Sequence, residues 1–293
     1  STLGNRQEGV GVYLAGNNQI LNSDTDNLSI GKGSIAYVMT GQGNNVRTGK
    51  LGTAKVVTLS DDSMFIYSAD KTGSITNYNH LKSTGNENYG IYASGAVENY
   101  GNIDFIQGAG NVGAYSYVEG AAVTPNATRN YATINVSKSD LSDSDNRKYG
   151  IGMAAGFGEE VPLGSGNYVV KGLGNIENHG TIKVTEPDSI GMYATGKGSR
   201  IYNNGRIELS GPKRNIGIFA ENGAEVINDV NGVITTVGSG NSGQIGIALR
   251  KGAILDNRGT IHIDASRGYG LFLAGAIIKN YGTANITVDN LSL

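Results

Sequence analysis

The chain has no cysteine and no tryptophan, only four prolines, and charged residues fill just 16% of its 293 positions. Each shortage removes a class of reading. Without cysteine there is neither a disulfide framework nor a thiolate zinc site. A chain that crosses an oxidising compartment unfolded also gains from having no thiols to cross-link, which fits export. A formal charge of −2 and a pI near 5.9 leave no polycationic face, so nucleic acid and anionic membranes are not expected partners. No apolar run approaches the roughly twenty residues of a membrane-spanning helix. No charged and apolar leader stands at Ser1, so an export signal is expected to have been removed or to lie outside this chain.

Glycine is what the chain has in excess, with 46 copies, and it alternates with Asn, Ser and Thr around single Ile, Val and Tyr residues. That is the texture of many short strands separated by tight turns. Self-similarity confirms the pattern. One block recurs ten times, as VGVYLAG from Val10, IAYVMTG from Ile35, MFIYSAD from Met64, YGIYASG from Tyr89, VGAYSYV from Val112, YGIGMAAG from Tyr149, IGMYATG from Ile190, IGIFAENG from Ile216, IGIALRKG from Ile245 and YGLFLAG from Tyr269. Successive starts lie 23 to 29 residues apart, except for steps of 37 and 41 that begin at Val112 and Tyr149. Such a step suits one coil of three short strands and three turns.

A second block follows the later anchors and reads apolar, any, Asn, any, Gly, any, apolar, any, apolar, as in IENHGTIKV from Ile176 and IYNNGRIEL from Ile201. After the glycine the alternation is strict, so Ile182 and Val184 share one face and Lys183 takes the other. Stacking such coils at about 4.8 Å buries one continuous core and gives a rod about 45 to 50 Å long. The sequence therefore predicts an all-β protein, a right-handed parallel β-helix of about ten coils, forming a single unit over residues 1–293. Asn99, Asn130, Asn178, Asn203, Asn228, Asn257 and Asn280 recur at one place in successive coils, so their amides are expected to hydrogen-bond in a ladder.

Strings such as GIYASGAVENYGNI, IGMYATGKGSRIYNNGRIEL and YGLFLAGAIIKNYGT resemble the passenger repeats of large fusobacterial autotransporter adhesins, the RadD-like group of type V secreted proteins. The likeness runs from about Val10 to Val288. It implies a β-helical passenger on the bacterial surface, carried by a C-terminal outer-membrane β-barrel that this chain lacks, and attachment to host cells or other bacteria through protein or glycan ligands. The chain is then a fragment of a longer passenger, monomeric, with no cofactor, no metal and no enzymatic role.

Function is sought where the repeat breaks. The two long coils span 112–189, with extra residues before the asparagine block at Tyr117 to Thr128 and Gly156 to Asn175, and after it at Lys138 to Lys148. Insertions in solenoids map to loops, and loops on rigid scaffolds often carry binding residues; equally, a rod tolerates loops that do nothing. Inserts on the same turn of neighbouring coils should emerge side by side as one outcrop, which makes Tyr117, Glu119, Phe157, Glu159, Glu160 and Tyr168 candidate contacts. The acidic stretch at Asp140, Asp143 and Asp145 lacks the spacing of a calcium loop and reads as solvated.

A second candidate is the aromatic column at the fourth anchor position, Tyr13, Tyr67, Tyr92, Tyr115, Tyr193, Phe219 and Phe272. If the first, third and fifth anchor residues face inward, the column faces out and can stack against sugar rings or a partner; in the opposite register it is core.

The competing class is a β-helical carbohydrate-active enzyme or a phage-tail-like depolymerase, which needs carboxylates gathered in a groove. Asp104, Glu208 and Asp264 are separated by coils carrying Asn135, Lys183 or Thr235, and adjacent Glu159 and Glu160 should face opposite ways on a strand. His80, His179 and His262 lie in unrelated coils and read as surface histidines. Glycine strings at Gly31 and Gly41 precede no helix pattern and lack the phosphate-loop lysine and hydroxyl.

Overall fold

The computed structural model describes residues 2–3, 9–24, 27–162, 164–211 and 214–289. Among these, every regular element is a strand, and all but three insert strands form three parallel sheets of eleven, ten and ten members, a β-solenoid of about eleven turns. Each coil contributes one strand to each sheet. The coil at Ile190 is representative: an anchor strand Ile190–Thr195, an asparagine strand Arg200–Asn203 and a closing strand Arg206–Leu209. The eleventh closing strand, Thr2–Leu3, precedes the first anchor.

Apolar columns run along the axis because like residues stack on like. Ile182, Ile207, Ile234 and Ile261 are successive partners in the closing sheet, and Ile176, Ile201, Val226 and Leu255 in the asparagine sheet. All are sealed from solvent at 0–1% exposure. A side chain of that size contributes about 1.5–3 kcal/mol on full burial, but only because the neighbouring coil covers it.

The asparagines form an unbroken series. Each Nδ2 donates to the Oδ1 of the next coil, from Asn77 through Asn99, Asn130, Asn178, Asn203, Asn228 and Asn257 to Asn280, at 2.8–3.1 Å. Asn77, one coil earlier than the sequence block, heads the amide series and receives the Thr48 hydroxyl at 2.9 Å. Several of the same Nδ2 groups also donate to the carbonyl two residues on, at Gly101, Ala132 and Gly180, which closes the turn.

The anchor strands depart from simple alternation. The third and fifth residues face the core and the fourth faces out, as in Ile91 and Ala93 against Tyr92. The first residue, which strict alternation would turn the same way as the third and fifth, lies on the outer side: Tyr89 packs its ring on Tyr92 and Tyr115. The cause is the second residue, which also turns inward. It is glycine in most coils, and a Cβ on Gly191 would stand 2.6 Å from the Gly217 carbonyl oxygen and 3.1 Å from Ile207 Cγ2. Two consecutive inward residues shift the phase by one, which places both the first and fourth columns outside.

The sixth anchor also starts later than its sequence suggests. Ile151, not Tyr149, pairs with Val112 and Ile190, so both long steps are 39 residues and Ala154 takes the fourth position.

Candidate functional site

The inserts fold onto the rod. Val118–Glu119, Tyr168–Leu173 and Phe157–Glu160 make a three-stranded antiparallel sheet, with Tyr168–Leu173 in the middle. Contributions from two consecutive coils thus meet in one structure beside the C-terminal ends of the anchor strands. The remaining insert, Lys138 to Lys148, enters the anchor sheet from the other side and is closed by paired backbone bonds between Asp140 and Lys148 at 2.7 and 2.9 Å. Its acids are occupied locally: Asp140 accepts from the Ser142 N–H and hydroxyl, and Asp143 from the Asp145 N–H.

Between these two walls the outer face of the anchor sheet forms a groove. One lobe of about 450 Å³ is lined by Tyr89, Tyr115, Tyr149, Ala154, Phe157, Ile190, Tyr193, Phe219, Glu221 and Arg250 among others. A second lobe of about 520 Å³ runs from Asp62 and Glu87 to Arg147 and Lys148. The lobes share Tyr89, Val112, Tyr149 and Ile151, so they are one channel parallel to the axis. From the coil of Met64 to that of Ile245 it crosses six strand spacings, roughly 29 Å.

The candidate residues divide sharply. Of the outcrop set, Phe157 lines the groove, 47% exposed, and Tyr117 backs it through ring contacts to Phe157 and Tyr115 at 6.3 and 6.1 Å. Tyr168 pairs its hydroxyl with Thr195 at 2.7 Å and braces the hairpin against the rod. Glu159 is held by Lys171 at 2.9 Å and Glu160 faces Lys251 at 3.6 Å, so the two carboxylates point apart. Glu119 is exposed, and its carbonyl accepts from Lys71 Nζ at 3.1 Å.

Of the aromatic column, Tyr115, Tyr193 and Phe219 line the groove. Tyr67 and Tyr92 continue the column as neighbouring rings 5.3 Å apart and tilted by 42°, while Tyr13 and Phe272 lie outside the groove toward the two ends. Burial, and then the neighbouring phenols or Glu221, push Tyr92, Tyr115 and Tyr193 well above the ordinary tyrosine range. They stay protonated and act as donors: Tyr115 Oη to the Gly156 carbonyl and Tyr193 Oη to Glu221, both at 3.0 Å.

Groove residues that sequence reasoning missed are Tyr89, Tyr149, Ile151, Ile190, Glu221 and Arg250. The first-position residues were hidden by the assumption of strict alternation. Also missed was a second aromatic stack at the asparagine turn, Tyr78, Tyr100, Tyr131 and His179, with ring centroids 4.9–5.3 Å apart and planes within 15°. Its signal was plain in the block, since each of these rings directly follows a ladder asparagine. Those rings spend their faces on one another and offer only edges to solvent.

The sequence model of one family, described as the BigA third pectate lyase-like domain, matches residues 2–232. The chain belongs to that family. The matched span includes both inserts and the groove residues up to Glu221. No curated protein and no solved structure matches the chain. The resemblance to fusobacterial adhesins thus narrows to a BigA-type surface-protein domain, and no comparison singles out the RadD-like group.

Chemically, the groove of this BigA-type domain is equipped to bind. Its aromatic lobe holds a single carboxylate, Glu221, already engaged by Tyr193. In the other lobe Glu87 is paired with Lys148, and Asp62 lies 4.0 Å from Lys32. Hydrolysis by paired carboxylates needs two acids facing a bond at roughly 5–9.5 Å, and no second acid lines the aromatic lobe. Among the described residues no group of three or more His, Asp or Glu converges on a point.

Proposed function

We propose that this chain is a stretch of a bacterial surface adhesin, in which a rigid β-solenoid presents the walled aromatic groove to a ligand on another cell. The observation that carries the reading is the groove itself: two inserts from neighbouring coils border the same outer sheet face, and the rings between them are held in place by their own hydroxyls. Membership of the BigA-type family, which goes with bacterial surface proteins, supports the setting. Delivery as an autotransporter passenger and anchoring by an outer-membrane barrel belong to the same proposal. The partner is a host or bacterial surface protein or glycan.

The purified chain immobilised on beads tests this. Beads should capture target cells, and a variant lacking Tyr117 to Thr128 and Gly156 to Asn175, with circular dichroism showing the solenoid intact, should capture far fewer. Equal capture removes the groove from the argument. The pectate lyase-like label makes a polysaccharide-cleaving enzyme the second reading, and a screen for released sugar ends separates the two. The adhesin reading expects no product.

A further inference from the structure

The aromatic column has a gap in its walled stretch. Ala154 is the register partner of both Tyr115 and Tyr193, so an alanine stands where a ring would complete the series. The two flanking positions are two strand spacings apart, roughly 9.6 Å. A ring in van der Waals contact with a wall on each side needs roughly 7–8 Å. Both flanking rings are fixed: Tyr115 by the carbonyl of Gly156 on Ala154's own coil, and Tyr193 by Glu221 on the coil beyond. Similar gaps exist at Val38 and Ala248, but neither lies among the groove residues. Only the Ala154 gap has Phe157 over one side and Tyr149 over the other.

The polar groups at the rim define what such a ring must carry. Glu221 and Arg250 occupy the sixth position of consecutive coils and supply an acceptor and a donor side by side. The far lobe is equally balanced, with Asp62 and Glu87 against Arg147 and Lys148. A polyanion would find no excess of cations here. On the groove floor an extended peptide would find no free strand edge, because that sheet's backbone is paired on both sides, and the edge strand Phe157–Glu160 of the wall offers only four residues. A pyranose meets both demands: its C–H faces are apolar, and its rim of hydroxyls both donates and accepts.

We propose that the groove binds a neutral hexopyranose glycan along the solenoid axis, with one sugar ring lying between Tyr115 and Tyr193 above the buried Ala154. This rests on the reading of the groove as the adhesive surface and names its ligand class. The pre-set rings lose little side-chain freedom on binding, which favours a rigid, repeating ligand.

The chain has no tryptophan, so its emission comes from its 16 tyrosines, and a ring laid against Tyr115 and Tyr193 changes the part of it that those two supply. Cellohexaose and chitohexaose are titrated into the purified protein, with hexagalacturonate and an eight-residue Gly/Ser/Tyr peptide alongside. At least one neutral hexasaccharide should quench the signal saturably and bind at least tenfold more tightly than hexagalacturonate or the peptide. Ala154→Tyr fills the gap and should weaken binding at least tenfold. Phe157→Ala, on the hairpin outside the solenoid core, should weaken it severalfold while circular dichroism shows the rod intact. Ala248→Tyr, which fills a gap outside the groove, should leave it unchanged. Failure of every neutral hexasaccharide, preference for the acid or the peptide, or unchanged binding in both Ala154→Tyr and Phe157→Ala overturns the proposal. Bead capture of cells separates the two levels. Capture without sugar binding defeats the glycan seat and leaves the adhesin standing, whereas sugar binding without capture by any cell does the reverse.

Discussion

Replacing Asn178 by alanine tests whether the amide ladder holds the coils in register. Asn178 is fully buried, accepts from Asn130 at 3.1 Å, and donates to Asn203 at 3.0 Å and to the Gly180 carbonyl at 3.3 Å. Asn178→Ala removes both ladder bonds, at about 1 kcal/mol each, and leaves the Asn203 oxygen a buried acceptor without its donor, at about 1–3 kcal/mol. The donor on Asn130 keeps a partner, the Ala132 carbonyl at 2.8 Å, so it adds little. The expected loss is roughly 3–5 kcal/mol. Asn280 ends the described ladder, is exposed, and receives a single bond from Asn257 at 2.8 Å, so Asn280→Ala should cost about 1 kcal/mol or less. Guanidinium unfolding followed by far-ultraviolet circular dichroism measures both. If the two variants lose stability to within 1 kcal/mol of each other, the ladder is an ornament of the turn and the reasoning fails.

Ile182→Asp and Ile207→Asp place a carboxylate in a column that is fully sealed, and each should lower the melting temperature by many degrees; unchanged melting would contradict the inward assignment. Gly191→Ala drives a methyl to 2.6 Å from the Gly217 oxygen and should cost about 1–3 kcal/mol, while Gly52→Ala, with nothing within 4 Å, should cost about 1 kcal/mol through its positive φ alone; thermal melts compare them. Asp70 is buried, and although burial raises its pKa, bonds from the Asn44, Thr72 and Gly43 N–H groups and the Thr72 hydroxyl outweigh this and hold it below the ordinary value. A depressed carboxylate stabilises fully above its unfolded pKa, near 3.9, and loses that contribution as pH falls through the folded value. Wild type should therefore out-melt Asp70→Asn at pH 7, and the difference should close in strong acid; a gap independent of pH would show that the charge is irrelevant.

The repeat was legible because each coil must solve the same burial problem with nearly the same residues. Ile182, Val184 and the ladder asparagines declare their faces through strict period-two spacing, and the structure places them so. The groove was not legible for two physical reasons. The second anchor residue, glycine in most coils but Ala36 and Phe65 in two, turns inward together with the third, which moved Tyr89, Ile151 and Ile190 to the outer face against strict alternation. The true start of the sixth anchor was masked by Tyr149 and Gly150, which imitate the Tyr-Gly of Tyr89 and Gly90 while belonging to the insert. With that register corrected, Ala154 falls into the aromatic column, and the gap it leaves becomes visible. The inserts themselves stood out by length alone, but that one closes the C-terminal side of the groove and the other the N-terminal side depends on which turn each interrupts.

A solenoid of equivalent coils would repeat any surface feature once per turn, but both walls here come from the coils beginning at Val112 and Ile151. On the adhesin reading the described stretch therefore offers one seat, not ten. Single seats of modest strength hold two surfaces together only when many rods engage at once, because each attachment after the first is made at the raised local concentration that the previous ones create. Valency is then set by how densely rods stand on a surface, and attachment strength should depend steeply on that density rather than on the affinity of one groove.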